Sequence, residues 1–509
     1  MLLLLTTCVL AGVITIIVKC SLWRKKCSQL LAGEKPGFFD ILGDLKEFIL
    51  YDNTPDKYFS KLNYLEVLKR RTEKYRKQKL FCLWITYMPF VCLVKAEAVK
   101  ELLIEKRMLE KSLLYKWFKP ILGYGLITSS VAKWKPRKKL LVPCFHLDVL
   151  RGFLPVFNEQ SRELVEYFQK ETTKDFSYIE TPITLTTLDI ICETMFGVKV
   201  GALGNDTSEY VQSVRRVLEI FMLRMSKIWL WPDFIFKFTK LGREMNDGLR
   251  MLHNFTRNII QEKKKRFLRG EKDQNDGKRK ALLDMLLQRH IEADELDEED
   301  IGEEVDTFAL AGHETVSTTI IWALYLIGLN TEIQARIHEE LDRVFGENSE
   351  RPVSEEDLSQ LQYLECVLKE TNRLCPAVPL FGRNIPETTE ICGQTLPKET
   401  SCLVLTYFLH RDEEVFPDPE RFDPDRFSPE NCPKIPEFAY VPFGAGPRNC
   451  IGQRFALMEM KTLVSSILRN FTIESLDPRD KIHSFISITL RPSAPIRIKI
   501  RPRKKQKSC

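Results

Sequence analysis

The chain opens with an almost unbroken apolar run, "MLLLLTTCVLAGVITIIV", roughly 17 residues, enough to cross a bilayer as a helix. Basic residues Lys19, Arg24, Lys25 and Lys26 follow the run, and none precedes it. A cleaved secretory signal carries its positive charge first and a small-residue cleavage site afterwards. The order found here favours an uncleaved signal anchor over residues 1–30, with residues 31–509 held on the cytosolic side by the positive-inside bias. After the junction at Pro36 and Gly37, "LFCLWITYMPFVCLVKAEAVKELLIEK" predicts two apolar strands and a helix. From about Val131 to Leu287 apolar residues recur at helical spacing, and "KKKRFLRGEKDQNDGKRK" interrupts them as a surface loop. A long helix is predicted from Glu298 to Leu329, its acidic first turns matched to the positive end of the helix dipole. "LSQLQYLECVLKETNRL" predicts another helix, stopped at Pro376, and "IGQRFALMEMKTLVSSILRNF" a last one. The C-terminal "SITLRPSAPIRIKIRP" reads as strands. The predicted class is mostly α with a smaller β part.

Composition narrows the function only mildly. The 509 residues are 44% hydrophobic and 29% charged, which is ordinary for a globular chain with a large core. A net charge of +6 gives no case for nucleic acid as a partner. The basic clusters Lys263–Arg266, Lys278–Lys280 and the tail read as solvated surface. The 14 cysteines show neither C-x-x-C nor regular spacing, so neither a disulfide framework nor a zinc site is indicated, and most read as buried thiols in a reducing compartment.

One cysteine stands apart. In "FGAGPRNCIG", Phe443 to Gly452, Cys450 lies where a loop becomes the last helix. Unpaired amides at a helix start and the nearby Arg448 favour thiolate. Gly444 and Gly446 permit backbone angles that turn amides toward the sulfur. Such a thiolate is a nucleophile or a metal ligand. No neighbouring base signature accompanies it, and a single thiolate suits haem iron.

Phe443, Gly446, Arg448, Cys450 and Gly452 resemble the F-x-x-G-x-R-x-C-x-G haem-binding signature of the cytochrome P450 superfamily. "AGHETV", Ala311 to Val316, resembles the family's distal oxygen-activation motif. Thr315 and Glu314 then stand as catalytic candidates, and Ala311 as a small residue against the cofactor; His313 reads as a packed bystander. A mid-helix threonine bonded to its own carbonyl is the bland alternative. "ETNR" resembles the family's E-x-x-R pair, with Glu370 and Arg373 joined by Arg426 of "PDRF" to buttress the cysteine loop. "WKPRK" resembles its W-x-x-x-R: Trp134 is kept, and Lys138 replaces the usual arginine, with Arg137 beside it as a substitute. Arg448, Arg383 and Lys138 are then expected to meet the haem propionates.

The resemblance covers about residues 40 to 500, and three stretches resemble family 4, the lipid-oxidising branch, above all its C and V subfamilies. It implies the cytochrome P450 fold, a helical haem-binding domain over residues 31–509 behind one transmembrane helix. It implies haem b on Cys450 iron ligation, electrons from NADPH through NADPH–cytochrome P450 reductase, cytochrome b5 as a further partner, and a site in the endoplasmic reticulum membrane. It implies hydroxylation of a fatty acid or related lipid at or near a chain terminus. Family 4 usually carries a glutamate at position 311 that can esterify a haem methyl; Ala311 cannot, so haem is expected to be held without that ester. Xenobiotic oxidation, a hydroperoxide isomerase or dehydratase, and a silent haem or lipid carrier are the alternatives. Trp117, Phe118, Leu122, Leu126, Leu380 and Phe381 are pocket candidates, and Lys133, Lys135, Lys139 and Arg454 candidates for docking a reductase.

Overall fold

A computed structural model describes residues 2–52, 57–204, 208–270, 281–293, 295–346, 348 and 350–504. The chain forms two compact units. One comprises Met1–Leu114, Leu380–Pro419 and Ile435–Asn449; the other comprises Tyr115–Pro379, Glu420–Lys434 and Cys450–Cys509.

The first unit is built on a four-stranded sheet. The apolar segments Leu80–Ile85 and Met88–Leu93 pair as a hairpin, then Ser401–Val404 runs parallel to the second strand and Phe381–Asn384 closes the far edge antiparallel. The N-terminal helix spans Leu2–Ser28, and its Leu5–Ser28 portion, of mean hydropathy 2.1, is long and apolar enough to cross a membrane. Its basic end is not merely solvated. Arg24 is buried and donates to the carbonyls of Thr86 and Gly37, both at 2.9 Å, while Trp23 meets Trp84 edge-on. The anchor helix is thus fastened to the strand hairpin at its C-terminal end.

The second unit is helical and is organised around the helix Glu298–Leu329 (the central helix). Asp297 caps it by accepting from the Asp300 amide at 2.7 Å, and Glu298, Glu299 and Asp300 fill its first turn. It packs against the helices Glu180–Ile191, Lys240–Leu268, Gln362–Leu374 and Gln453–Asn470. Gly312 makes the first of these contacts close, because a Cβ there would overlap the Ile191 side chain. A three-stranded sheet (Ser177–Tyr178, Arg497–Pro502, Phe471–Ser475) and a hairpin (Ser484–Ser487 with Thr489–Pro492) complete the unit. Trp322 of the central helix donates to the Leu490 carbonyl at 2.8 Å and so fixes the hairpin.

Two expectations change. The segment foreseen as one helix up to Pro376 is two, Glu355–Gln360 and Gln362–Leu374, because a capping box between Ser354 and Asp357 makes a separate short helix. Lys263–Arg266 belongs to the helix Lys240–Leu268 rather than a loop: Lys263 is buried and pairs with Asp284 at 3.1 Å. Residues 271–280 of that charged stretch and the last five residues of the tail lie outside the described residues.

Candidate functional site

From Thr307 to Gly328 every residue of the central helix is buried except Ala311, Gly312 and Thr315. Ala311 and Thr315, four apart, share a partly accessible face, while Gly312 lies against Ile191. Thr315 Oγ1 donates to the Ala311 carbonyl at 2.8 Å. Glu314 points elsewhere. It is buried and forms an ion pair through both oxygens with Arg491 of the hairpin. Burial opposes its charge, but Arg491, His313 and Arg215 outweigh burial and hold the carboxyl below its usual value. His313 is fully buried, with Nδ1 on the Ala309 carbonyl, and burial keeps its imidazole below the ordinary value.

Cys450 precedes the helix Gln453–Asn470 by a turn rather than opening it. The residue is exposed, yet its sulfur is surrounded by neighbouring protein. On sequence the loop should favour thiolate. In the protein alone burial pushes the thiol up, opposed by the Gly452 amide and by the charge of Lys138. Lys138 is half-buried, with its ammonium 5.6 Å from the centre of the buried Trp134 ring. Arg137 does not substitute for it. Arg137 is turned to the central helix, 2.6 Å from Asp300 and 3.5 Å from Glu304. Lys133 is likewise committed to Asp300 and Glu303, whereas Lys135, Lys139 and Arg454 are exposed.

Glu370 and Arg373 are fully buried, and Arg426 is partly so. Arg373 donates to both oxygens of Glu370, at 2.7 and 2.8 Å, and neither side chain has solvent exposure. Arg426 Nε lies 3.6 Å from Glu370, and the Asp423 amide donates to the same carboxylate at 2.9 Å. Arg421 of the earlier "PERF" contributes its carbonyl, which accepts from Arg373 at 3.0 Å.

In the first unit, Phe443 is half-buried and Gly446 has φ +71°, where a Cβ would overlap the Leu103 carbonyl. Only glycine gives the loop this path. Arg448 and Arg383 are buried, and they act together on a third cation, Lys111, which bridges to the Arg383 strand. Burial, then Arg383 and Arg448, push the Lys111 ammonium well below its usual value. Lys111 had no motif to reveal it. Neither did Arg491, which meets Glu314 only through folding.

The donor set suits an iron porphyrin. Within the second unit, the accessible Cys450 thiol can ligate the iron, Lys138 can meet a carboxylate, and the face of Ala311 and Thr315 carries only small side chains. Such a set is compatible with a haem-thiolate oxidoreductase. The chain belongs to the cytochrome P450 family, whose family model matches residues 57–500, and members of it are monooxygenases. It is 45% identical to cytochrome P450 4V2 of Mus musculus over 85% of this chain and 84% of that one, with the same figures for the Homo sapiens protein. It is 37% identical to cytochrome P450 4c3 of Drosophila melanogaster over 96% of this chain and 99% of that one.

Proposed function

We propose that this protein is a membrane-anchored monooxygenase that hydroxylates a fatty acid or related lipid. The observation that carries the proposal is the partly accessible face of Ala311 and Thr315 in the mostly buried stretch Thr307–Gly328 of the central helix, in the same unit as Cys450. Haem b, when bound through Cys450, would supply dioxygen activation and cleavage of an apolar C–H bond. Lys138, in the same unit as Cys450, would meet a propionate as a point charge without the bidentate fork of arginine. With Ala311 in the place of a carboxylate, no ester tethers the ring.

Thr315 Oγ1 carries the proton relay next to the open face. Its hydroxyl donates to the Ala311 carbonyl and keeps its lone pairs for a water proton. Glu314 is ionised and held by Arg491, so it feeds protons only when that ion pair loosens. Exposed Lys135, Lys139 and Arg454 offer charge to an acidic face of NADPH–cytochrome P450 reductase or cytochrome b5. The Leu5–Ser28 helix anchors the chain in the endoplasmic reticulum membrane with the two units in the cytosol.

The test is reconstitution of the full chain with reductase and NADPH against a panel of fatty acids of graded length. Hydroxylated product that requires NADPH is expected, with Thr315→Ala diverting reducing equivalents to peroxide. Turnover of a lipid hydroperoxide without NADPH, and no hydroxylation, would instead identify an isomerase or dehydratase.

A further inference from the structure

The helix Lys240–Leu268, the central helix and the segment Lys119–Leu122 meet at one imidazole. His253 Nδ1 lies 2.9 Å from Asp306 Oδ2, and Nε2 lies 3.1 Å from the Pro120 carbonyl oxygen. Both partners are acceptors that cannot donate. A neutral imidazole carries one N–H and can satisfy only one of them; the imidazolium satisfies both. The other oxygen of Asp306 accepts from Thr256 Oγ1 at 2.6 Å, which fixes the carboxylate toward the ring. We propose that His253 is a proton-operated clasp, which in its charged form fastens the Lys119–Leu122 segment and the Lys240–Leu268 helix to Asp306 and releases the segment on deprotonation.

The charges around the ring favour such a device. The Asp306 hydrogen bond raises the imidazole above its ordinary value against burial and against Arg257 on its own helix. Tyr210, from the helix Ser208–Ser226, is kept a neutral phenol by burial and then by the Asp306 charge. The sign follows from the direction. The clasp is complete below the ordinary histidine range and is lost as pH rises through the raised value. What it releases matters because the same stretch of chain carries Trp117, Phe118 and Leu122. The far end of the stretch stays fixed independently, since Glu303 accepts from the Tyr124 amide at 2.7 Å and Glu304 from the Leu126 amide at 3.2 Å. Release at Pro120 is therefore a local hinge motion, not unfolding.

Amide hydrogen exchange of the full chain in detergent at about pH 6 and about pH 8.5, corrected for intrinsic rates, tests this without any turnover. Protection over residues 117–123 should fall at least about tenfold at the higher pH in the parent and be low at both pH values in His253→Gln and Asp306→Asn. A carbon-13 histidine titration of the parent, assigned by the signal absent from His253→Gln, should place His253 above its ordinary value and return it toward that value in Asp306→Asn. Equal parental protection at the two pH values, or pH dependence that survives in His253→Gln, overturns the clasp. Should His253→Gln fail to fold, the parental exchange and Asp306→Asn decide the matter.

Discussion

Replacing Arg373 with methionine strands a carboxylate in a place with no water. Glu370 has zero exposure and receives two charged hydrogen bonds from Arg373. At about 1.5–3 kcal/mol each, their loss amounts to ~3–6 kcal/mol, and removal of one member of a buried ion pair costs about 3–5 kcal/mol on its own account. That is a large share of the ~5–15 kcal/mol that holds a typical domain together. Burial already raises the Glu370 carboxyl against the pull of Arg373, so without the arginine its value rises further. A raised carboxyl favours the protonated native state. Arg373→Met should therefore regain stability as pH falls, by up to about 1.4 kcal/mol per pH unit. Glu370→Gln added to Arg373→Met removes the stranded charge and keeps an oxygen to accept from the Asp423 amide. The double variant should be more stable than Arg373→Met alone, with a flat pH response. Urea denaturation followed by far-ultraviolet circular dichroism measures all three proteins. A cost below about 1 kcal/mol for Arg373→Met, or a double variant worse than the single one, would refute the stranded-charge account.

Gly446→Ala should cost about 1–2 kcal/mol for its positive φ and, through overlap with the Leu103 carbonyl, displace the cysteine loop; the haem-to-protein ratio should drop, and full occupancy would speak against the loop path. Burial pushes Glu304 up to about 7, against Arg137 and the Leu126 amide, so the parent loses stability as pH rises toward that value; Glu304→Gln should flatten this dependence, worth up to about 3 kcal/mol between pH ~5 and ~8, by the same urea assay. Acidified organic solvent should extract all haem from the parent, because Ala311 offers no carboxylate, and retained haem would contradict a purely noncovalent site.

What the sequence could foretell depended on the range of the interaction. The central helix could be bounded at Glu298 and Leu329 because its cap, its acidic turn and its apolar length are all local. Arg426 could be named because a short motif carries it near Glu370. The partner of Glu314 could not, since Arg491 sits on a hairpin whose seat is set by Trp322 and the chain between. Arg137 and Lys138 are neighbours in sequence, yet the helix turns one toward Asp300 and leaves the other to act on Cys450. The burial that pushes the Cys450 thiol up could not be read from the loop, because burial is a property of the fold. His253 and Asp306 belong to different helices and share no motif.

The most direct measurement is the absorbance difference spectrum of the reduced full-length protein with and without carbon monoxide. A strongly red-shifted Soret band that disappears in Cys450→His is the predicted result, and it would establish thiolate ligation by this residue. Folded, haem-replete protein without that shift would contradict Cys450 as the ligand, and with it the account of how this protein activates oxygen.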